Sequence, residues 1–202
     1  MRILIFITTF LFTNLTFSQT VKITKNYGSS NPELQEIMDF QNIQVEKFNF
    51  ENSNLRGKNF EINVSEYVNG KLKSKTLLCD TSEADFLKIQ YSPFSLKMFT
   101  QMKNGFLTIN AKFYNFSSKT LTLKLSEKNQ DKDYVAKDFF GAKIVTEFPL
   151  QEEFPLLAII TPTIHKDGSG SYCEVVQSDI KPENLGEHFK IPHYFLVTMK
   201  IK

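Results

Sequence analysis

From residue 43 onward, apolar side chains recur at every second position, the period of a strand with one buried face. Only a short stretch ahead of it follows the helical period. There Asn31-Pro32-Glu33 precedes Leu34, Ile37 and Met38. Asn caps, Pro fits the first turn and the acid favours the positive end. A short helix to about Phe40 is expected, packed on the following domain through one apolar stripe. Ile43 and Val45, then Phe48 and Phe50, read as a strand with a bulge between the pairs.

Two Asn-Gly pairs mark two-residue hairpin turns, because both turn positions need positive φ. Around Asn69-Gly70, pairing Val68 with Lys71 sets Glu66 against Lys73, Ile62 against Leu77 and Phe60 against Cys79. That hairpin is rooted in the core and aims its tip at solvent. Around Asn104-Gly105, pairing Lys103 with Phe106 puts Leu96, Met98, Thr100 and Met102 on one face with Leu107, Ile109, Ala111 and Phe113. The other face carries Lys97, Gln101, Lys103, Thr108, Asn110 and Lys112, with Phe99 and Phe106 as exceptions. One dry and one wet face is the signature of an antiparallel sheet.

Leu121, Leu123 and Leu125 alternate in a strand at 120–125, and a further strand is expected at 143–148. A longer one spans 154–165, where Pro162 implies an edge or a bulge. The turn Asp167-Gly168-Ser169-Gly170 returns it along 171–177. Single helical turns are read at 138–141 and, or else a loop, at 178–186. His193, Phe195, Val197, Met199 and Ile201 end the chain in a strand of central character. The fold class that follows is mainly β: an antiparallel, immunoglobulin-like β-sandwich with a short N-terminal helix, a closed β-barrel being the alternative.

The first residues change the picture of compartment. Arg2 precedes an uncharged apolar run, and Thr16 and Ser18 supply the small side chains of a cleavage site, which makes residues 1–18 a signal peptide with Gln19 as the new N-terminus. The run is too short to span a bilayer, which takes roughly 20 apolar residues, so no membrane segment is expected after cleavage. Residues 19–42 read as a polar lead and short helix, and 43–202 as a single β-sandwich domain. The expected location is the periplasm, the cell surface or the medium.

Lys and Arg total 24 against 22 Asp and Glu, a net charge of +2 that supplies no field for nucleic acid. The 20 Phe and 7 Tyr, with no Trp, suit an aromatic-rich β core. Cys79 and Cys173 both fall in strand-like segments. Buried free thiols are the favoured reading and a disulfide the alternative.

Candidate chemistry is sparse. His165, His188 and His193 have no metal-binding spacing, and His193 reads as a hydrogen-bonded residue opening the last strand. The 167–171 segment lacks the further acids of a calcium loop and the flanking glycines of a nucleophile elbow, and turn chemistry accounts for it. Glu152-Glu153, and Asp131 with Asp133, read as solvated charges. No catalytic residue, metal or cofactor is expected. Tyr67, Phe99, Phe106, Tyr172 and Tyr194 fall out of phase with the core face of their strands. Such aromatics either stack on sugar rings or meet a protein partner, or lie beneath a loop or the helix.

Phe17-Ser18 before Gln19, the segment Lys166-Asp167-Gly168-Ser169-Gly170-Ser171-Tyr172-Cys173-Glu174-Val175, and Ile191-Pro192-His193-Tyr194-Phe195 together resemble an uncharacterised secreted β-sandwich family of Bacteroidota. The resemblance covers the chain from Ile43 onward. It implies export and a sandwich fold, and it assigns no site. The expected role is a non-enzymatic binding or assembly module. A secreted hydrolase whose site assembles only in three dimensions, and a secreted inhibitor or immunity factor, are the alternatives.

Overall fold

The computed structural model describes residues 20–127, 131–164, 167–172, 175 and 178–202. The expected signal peptide at residues 1–18, His165 and Cys173 lie outside them. Cys79 is a half-buried free thiol, pushed up to about 11 by burial and then by Asp80 and Glu83.

Two antiparallel sheets stack face to face. The larger contains β1 (Thr20–Tyr27), β2 (Ile43–Glu51), β5 (Phe94–Lys103), β6 (Phe106–Phe113), β7 (Phe116–Ser117), β8 (Leu121–Lys124) and β10 (Val145–Pro149). Its order is β10-β1-β2-β5-β6, and β6 pairs both β7 and β8. The smaller contains β3 (Phe60–Val68), β4 (Lys71–Asp80), β9 (Val135–Asp138), β11 (Glu153–Ile160) and β14 (His193–Ile201), in the order β4-β3-β14-β11-β9. A small hairpin, β12 (Thr163–Ile164) with β13 (Gly170–Ser171), stands apart. Neither sheet closes on itself, so the barrel alternative falls.

The interior is built from rings. Phe50 and Phe60, from opposite sheets, both lie against Phe94, at 5.7 and 5.1 Å between centroids, and Phe60 also meets Phe113 edge-on at 5.1 Å. The row expected from the Asn104-Gly105 hairpin is buried with the predicted register, Met98 opposite Ala111 and Thr100 opposite Ile109. The last strand is central, as its alternation implied, with β3 on one side and β11 on the other.

Several local expectations change. Residues 20–27, read as a polar lead, form a strand that buries Val21 and Ile23 between β2 and β10. The register of β2 is unbroken, so the bulge between Val45 and Phe48 is absent. In the Asn69-Gly70 hairpin Val68 does face Lys71, but two irregularities shift the rest. Glu66 lies opposite Ser74 and Ile62 opposite Cys79, while Phe60 N–H donates to Thr81 Oγ1 at 2.8 Å. The hairpin tip is covered: α2 (Leu185–His188) packs on it, and a Cβ at Gly186 would fall 3.1 Å from Gly70 Cα. No helical turn forms at 138–141, where β9 ends instead. Pro162 lies just past the end of β11, and the irregularity of that strand falls between Pro155 and Leu157. Of the 171–177 strand the described residues retain only β13.

The predicted helix, α1 (Pro32–Phe40), is present with Asn31 as its cap, Oδ1 accepting from Leu34 N–H at 3.2 Å. It packs on β2 through Met38 alone of the expected stripe. Leu34 and Ile37 stay exposed, because nine residues laid on the rim of a sheet bring only one turn inward.

Candidate binding face

The outer faces of the two sheets have different coverings. On the smaller sheet, Val175, Ile180, Leu185, Phe189 and Ile191 close a second apolar cluster with Ala158, Ile160 and Leu196. Beneath this roof Tyr67 and Tyr194 stack at 4.7 Å with 7° between planes, and Tyr194 Oη lies 2.9 Å from the Glu183 carbonyl and 3.2 Å from that of Pro182. Tyr172, half-buried, donates to the Asp133 carbonyl at 3.1 Å. Three of the five aromatic candidates are thus packing groups of the roof. This also explains why β11 and β14 read as nearly continuous apolar runs: both of their faces are buried.

Among the described residues the larger sheet has no such roof beyond α1. Phe99 is half-buried on its outer face with Lys112 Nζ 5.5 Å above the ring, a cation–π contact, and Phe106 is 43% exposed. Pairing across this face places Lys47, Lys97 and Lys112 directly abreast on β2, β5 and β6. Asn26 and Ser117 end the row. The neighbouring rows hold Thr24, Asn49 and Ser95 on one side, then Val45, Phe99 and Asn110, and Ile43, Gln101, Thr108 and Thr122 on the other. None of these four rows contains a carboxylate. Among the described residues none of the three lysines forms an ion pair, although like charges facing each other across strands are destabilising.

The sequence placed Lys97 and Lys112 on a wet face but could not add Lys47, because the pairing of β2 with β5 joins segments 50 residues apart in the chain at Lys47 and Lys97.

Two buried polar groups were also not legible. Without a bulge in β2, Glu46 falls in phase with Phe48 and Phe50 and points between the sheets, 5% exposed, with Oε2 lacking a partner among the described residues. Burial, then the neighbouring Asp138, pushes its carboxyl up to about 7 against the opposing pull of Lys25 and Lys137. Lys25 and Asp138 form an ion pair across the layers. Strict alternation through Gln44, Glu46, Phe48 and Phe50 was the signal available.

The second group is a hydrogen-bonded chain from Tyr134 Oη to His193 Nδ1, 2.6 Å, and from His193 Nε2 to Glu66 Oε1, 3.1 Å, with Lys73 Nζ 2.9 Å from the same carboxylate oxygen. Tyr134 donating and Nε2–H donating fits a neutral imidazole, and burial depresses the His193 pKa against the pull of Glu66. For Glu66 burial acts upward, and the hydrogen bonds from Lys73 and His193 outweigh it to hold the carboxyl low. The His193 expectation is met. A cleft of about 260 Å³ opens beside Glu66, Lys73 and His193. Its geometry resembles an acid–base relay, but Tyr134 at its end is buried, and burial raises the pKa of its hydroxyl. The chain ties three segments together rather than presenting a nucleophile.

The remaining acids are structural partners. Glu153 is exposed, as expected, and meets Lys75 at 2.9 Å in a surface ion pair, and Asp131 accepts from Gly105 N–H at 2.8 Å. Asp167 Oδ1 accepts from Ser169 N–H and Oγ–H, the turn chemistry expected there. No group of three metal-ligating side chains occurs among the described residues, and no helix among them is long and apolar enough to cross a membrane. Comparison with protein-family models, curated proteins and solved structures finds no match.

Proposed function

We propose that this chain is an exported, non-enzymatic binding module whose working surface is the outer face of the larger sheet. One observation carries the reading: Val175, Ile180, Leu185, Phe189 and Ile191 roof the smaller sheet's outer face, whereas among the described residues the larger sheet leaves Phe106, Lys97 and Lys112 exposed, with Phe99 and Lys47 half-buried beside them. Exposed aromatics interspersed with polar groups on a flat sheet suit recognition of a glycan or protein surface. Export, and kinship with the secreted Bacteroidota family, belong to this proposal and rest on the signal-like N-terminus and the C-terminal motifs.

The test is cosedimentation of the mature protein with cell-envelope fragments of the producing organism. Wild type is expected in the pellet, Lys97→Glu/Lys112→Glu in the supernatant, and Lys75→Gln, on the other sheet, in the pellet. Wild type in the supernatant, or equal pelleting of all three, overturns the reading. The hydrolase alternative has one observation in its favour, the Glu66–His193–Tyr134 chain at the mouth of a cleft. It requires turnover that His193→Ala abolishes.

A further inference from the structure

We infer that the open face of the larger sheet binds an acidic polysaccharide, a sugar chain carrying carboxylate or sulfate groups. This rests on the proposal that the face is the working surface, and it adds the chemistry of the occupant.

The charge pattern argues first. Lys47, Lys97 and Lys112 stand on three adjacent strands, so their backbones are about 5 Å apart and the row spans about 10 Å. Placing like charges opposite each other works against the sheet. The smaller sheet shows how the same chain handles lysines when stability alone is served: Lys73 meets Glu66, Lys75 meets Glu153, and Lys202 meets Glu61 and Asp80. Farther along the larger sheet Lys22 lies between Glu51 and Glu147 in register. Among the described residues the central row sets three lysines abreast with no ion pair, and a ligand that supplies several anionic groups at short intervals relieves it.

The surroundings select the class of polyanion. One row along, the Phe99 ring lies beside Lys112, an apolar plate against which a sugar ring can stack. Asn110 Nδ2 donates to the Ser118 carbonyl at 2.9 Å and Gln101 Nε2 to the Gln41 carbonyl at 3.0 Å. Both amides are thereby held, and each keeps its carbonyl oxygen as an acceptor for a ligand hydroxyl. A protein partner is a poorer fit, because lysine is depleted in the centre of protein–protein interfaces and this face has lysines at its centre.

Isothermal titration of the mature protein at low ionic strength tests this with four probes: oligogalacturonate, dextran sulfate, neutral dextran and polyglutamate. Binding is expected to at least one of the two acidic glycans and not to neutral dextran. Lys97→Gln/Lys112→Gln should weaken it about tenfold, since each exposed charge contact contributes a modest factor. Phe99→Ala should weaken glycan binding but leave any residual polyglutamate binding unchanged, and Lys75→Gln should change nothing. A circular dichroism melt of each variant checks that the fold is kept, and Lys47→Gln provides an independent third position. Failure of both acidic glycans, equal binding of neutral dextran, or tighter binding of polyglutamate overturns the inference. If the envelope test still separates Lys97→Glu/Lys112→Glu from wild type, that failure belongs to the choice of ligand alone. If an acidic glycan binds and the lysine pair has no influence, the working face itself is wrong.

Discussion

The outer faces of the two sheets treat the same residue types in opposite ways. Tyr67 and Tyr194, out of phase on the smaller sheet, stack beneath a roof of the chain's own making, while Phe99 and Phe106, out of phase on the larger sheet, meet solvent or a lysine. Lys73 and Lys75 on the smaller sheet meet carboxylates, whereas Lys47, Lys97 and Lys112 on the larger stand abreast. An outward aromatic therefore carries no meaning until its cover is known, and the uncovered ones are where recognition is to be sought.

The largest expected effect comes from breaking the roof. Tyr194→Ala removes the stacked ring and both of its carbonyl hydrogen bonds, and should destabilise the protein by about 3–5 kcal/mol in urea unfolding. Phe99→Ala on the open face should cost under about 1 kcal/mol. Equal costs would erase the distinction between the faces.

Between the sheets, Glu46 offers a second contrast. Its folded pKa of about 7 lies above the ordinary 4.5, so between those values the folded state binds more protons than the unfolded one. Stability attributable to this group accordingly falls as pH rises from about 4.5 to about 7, and the loss is complete above that. Glu46→Gln should stabilise by about 2 kcal/mol at pH 8 and by nearly nothing at pH 4, read from urea midpoints at the two pH values. A gain independent of pH would assign the effect to packing. His193 runs the other way: its folded pKa is depressed, so its contribution is lost as pH falls below about 6.5.

A smaller loss is expected from Tyr134→Phe, which leaves the buried His193 Nδ1 without its donor, about 1 kcal/mol with the sheets intact. Smallest of all, Lys97→Glu should raise stability by about 0.5 kcal/mol by relieving the like-charge row, even as it abolishes envelope binding. Stability and binding moving in opposite directions at one residue would mark the row as kept for recognition.

What could be read in advance followed how local each feature is. The β5–β6 hairpin was legible to the residue, because Asn104-Gly105 pins its register and no irregularity intervenes. The β3–β4 hairpin shares the same turn chemistry, yet its pairs drift, since extra residues at Lys73 and Leu78 leave the apolar pattern nearly unchanged. β1 escaped notice because only Val21 and Ile23 mark it among polar neighbours. Glu46 was hidden by a carboxylate standing where alternation calls for an apolar residue, a mismatch more readily read as a bulge. The roof over Tyr67 and Tyr194, and the row through Lys47, both depend on which remote segments become neighbours, which periodicity does not encode.

The central claim, that the open face of the larger sheet is the working surface, is tested most directly by acylating lysines in the mature protein, free and bound to envelope fragments, and reading modification by mass spectrometry. Protection confined to Lys47, Lys97 and Lys112, with Lys73 and Lys75 labelled equally in both states, is the predicted result. Protection centred on Lys73 and Lys75, or none at the three abreast lysines, would contradict it.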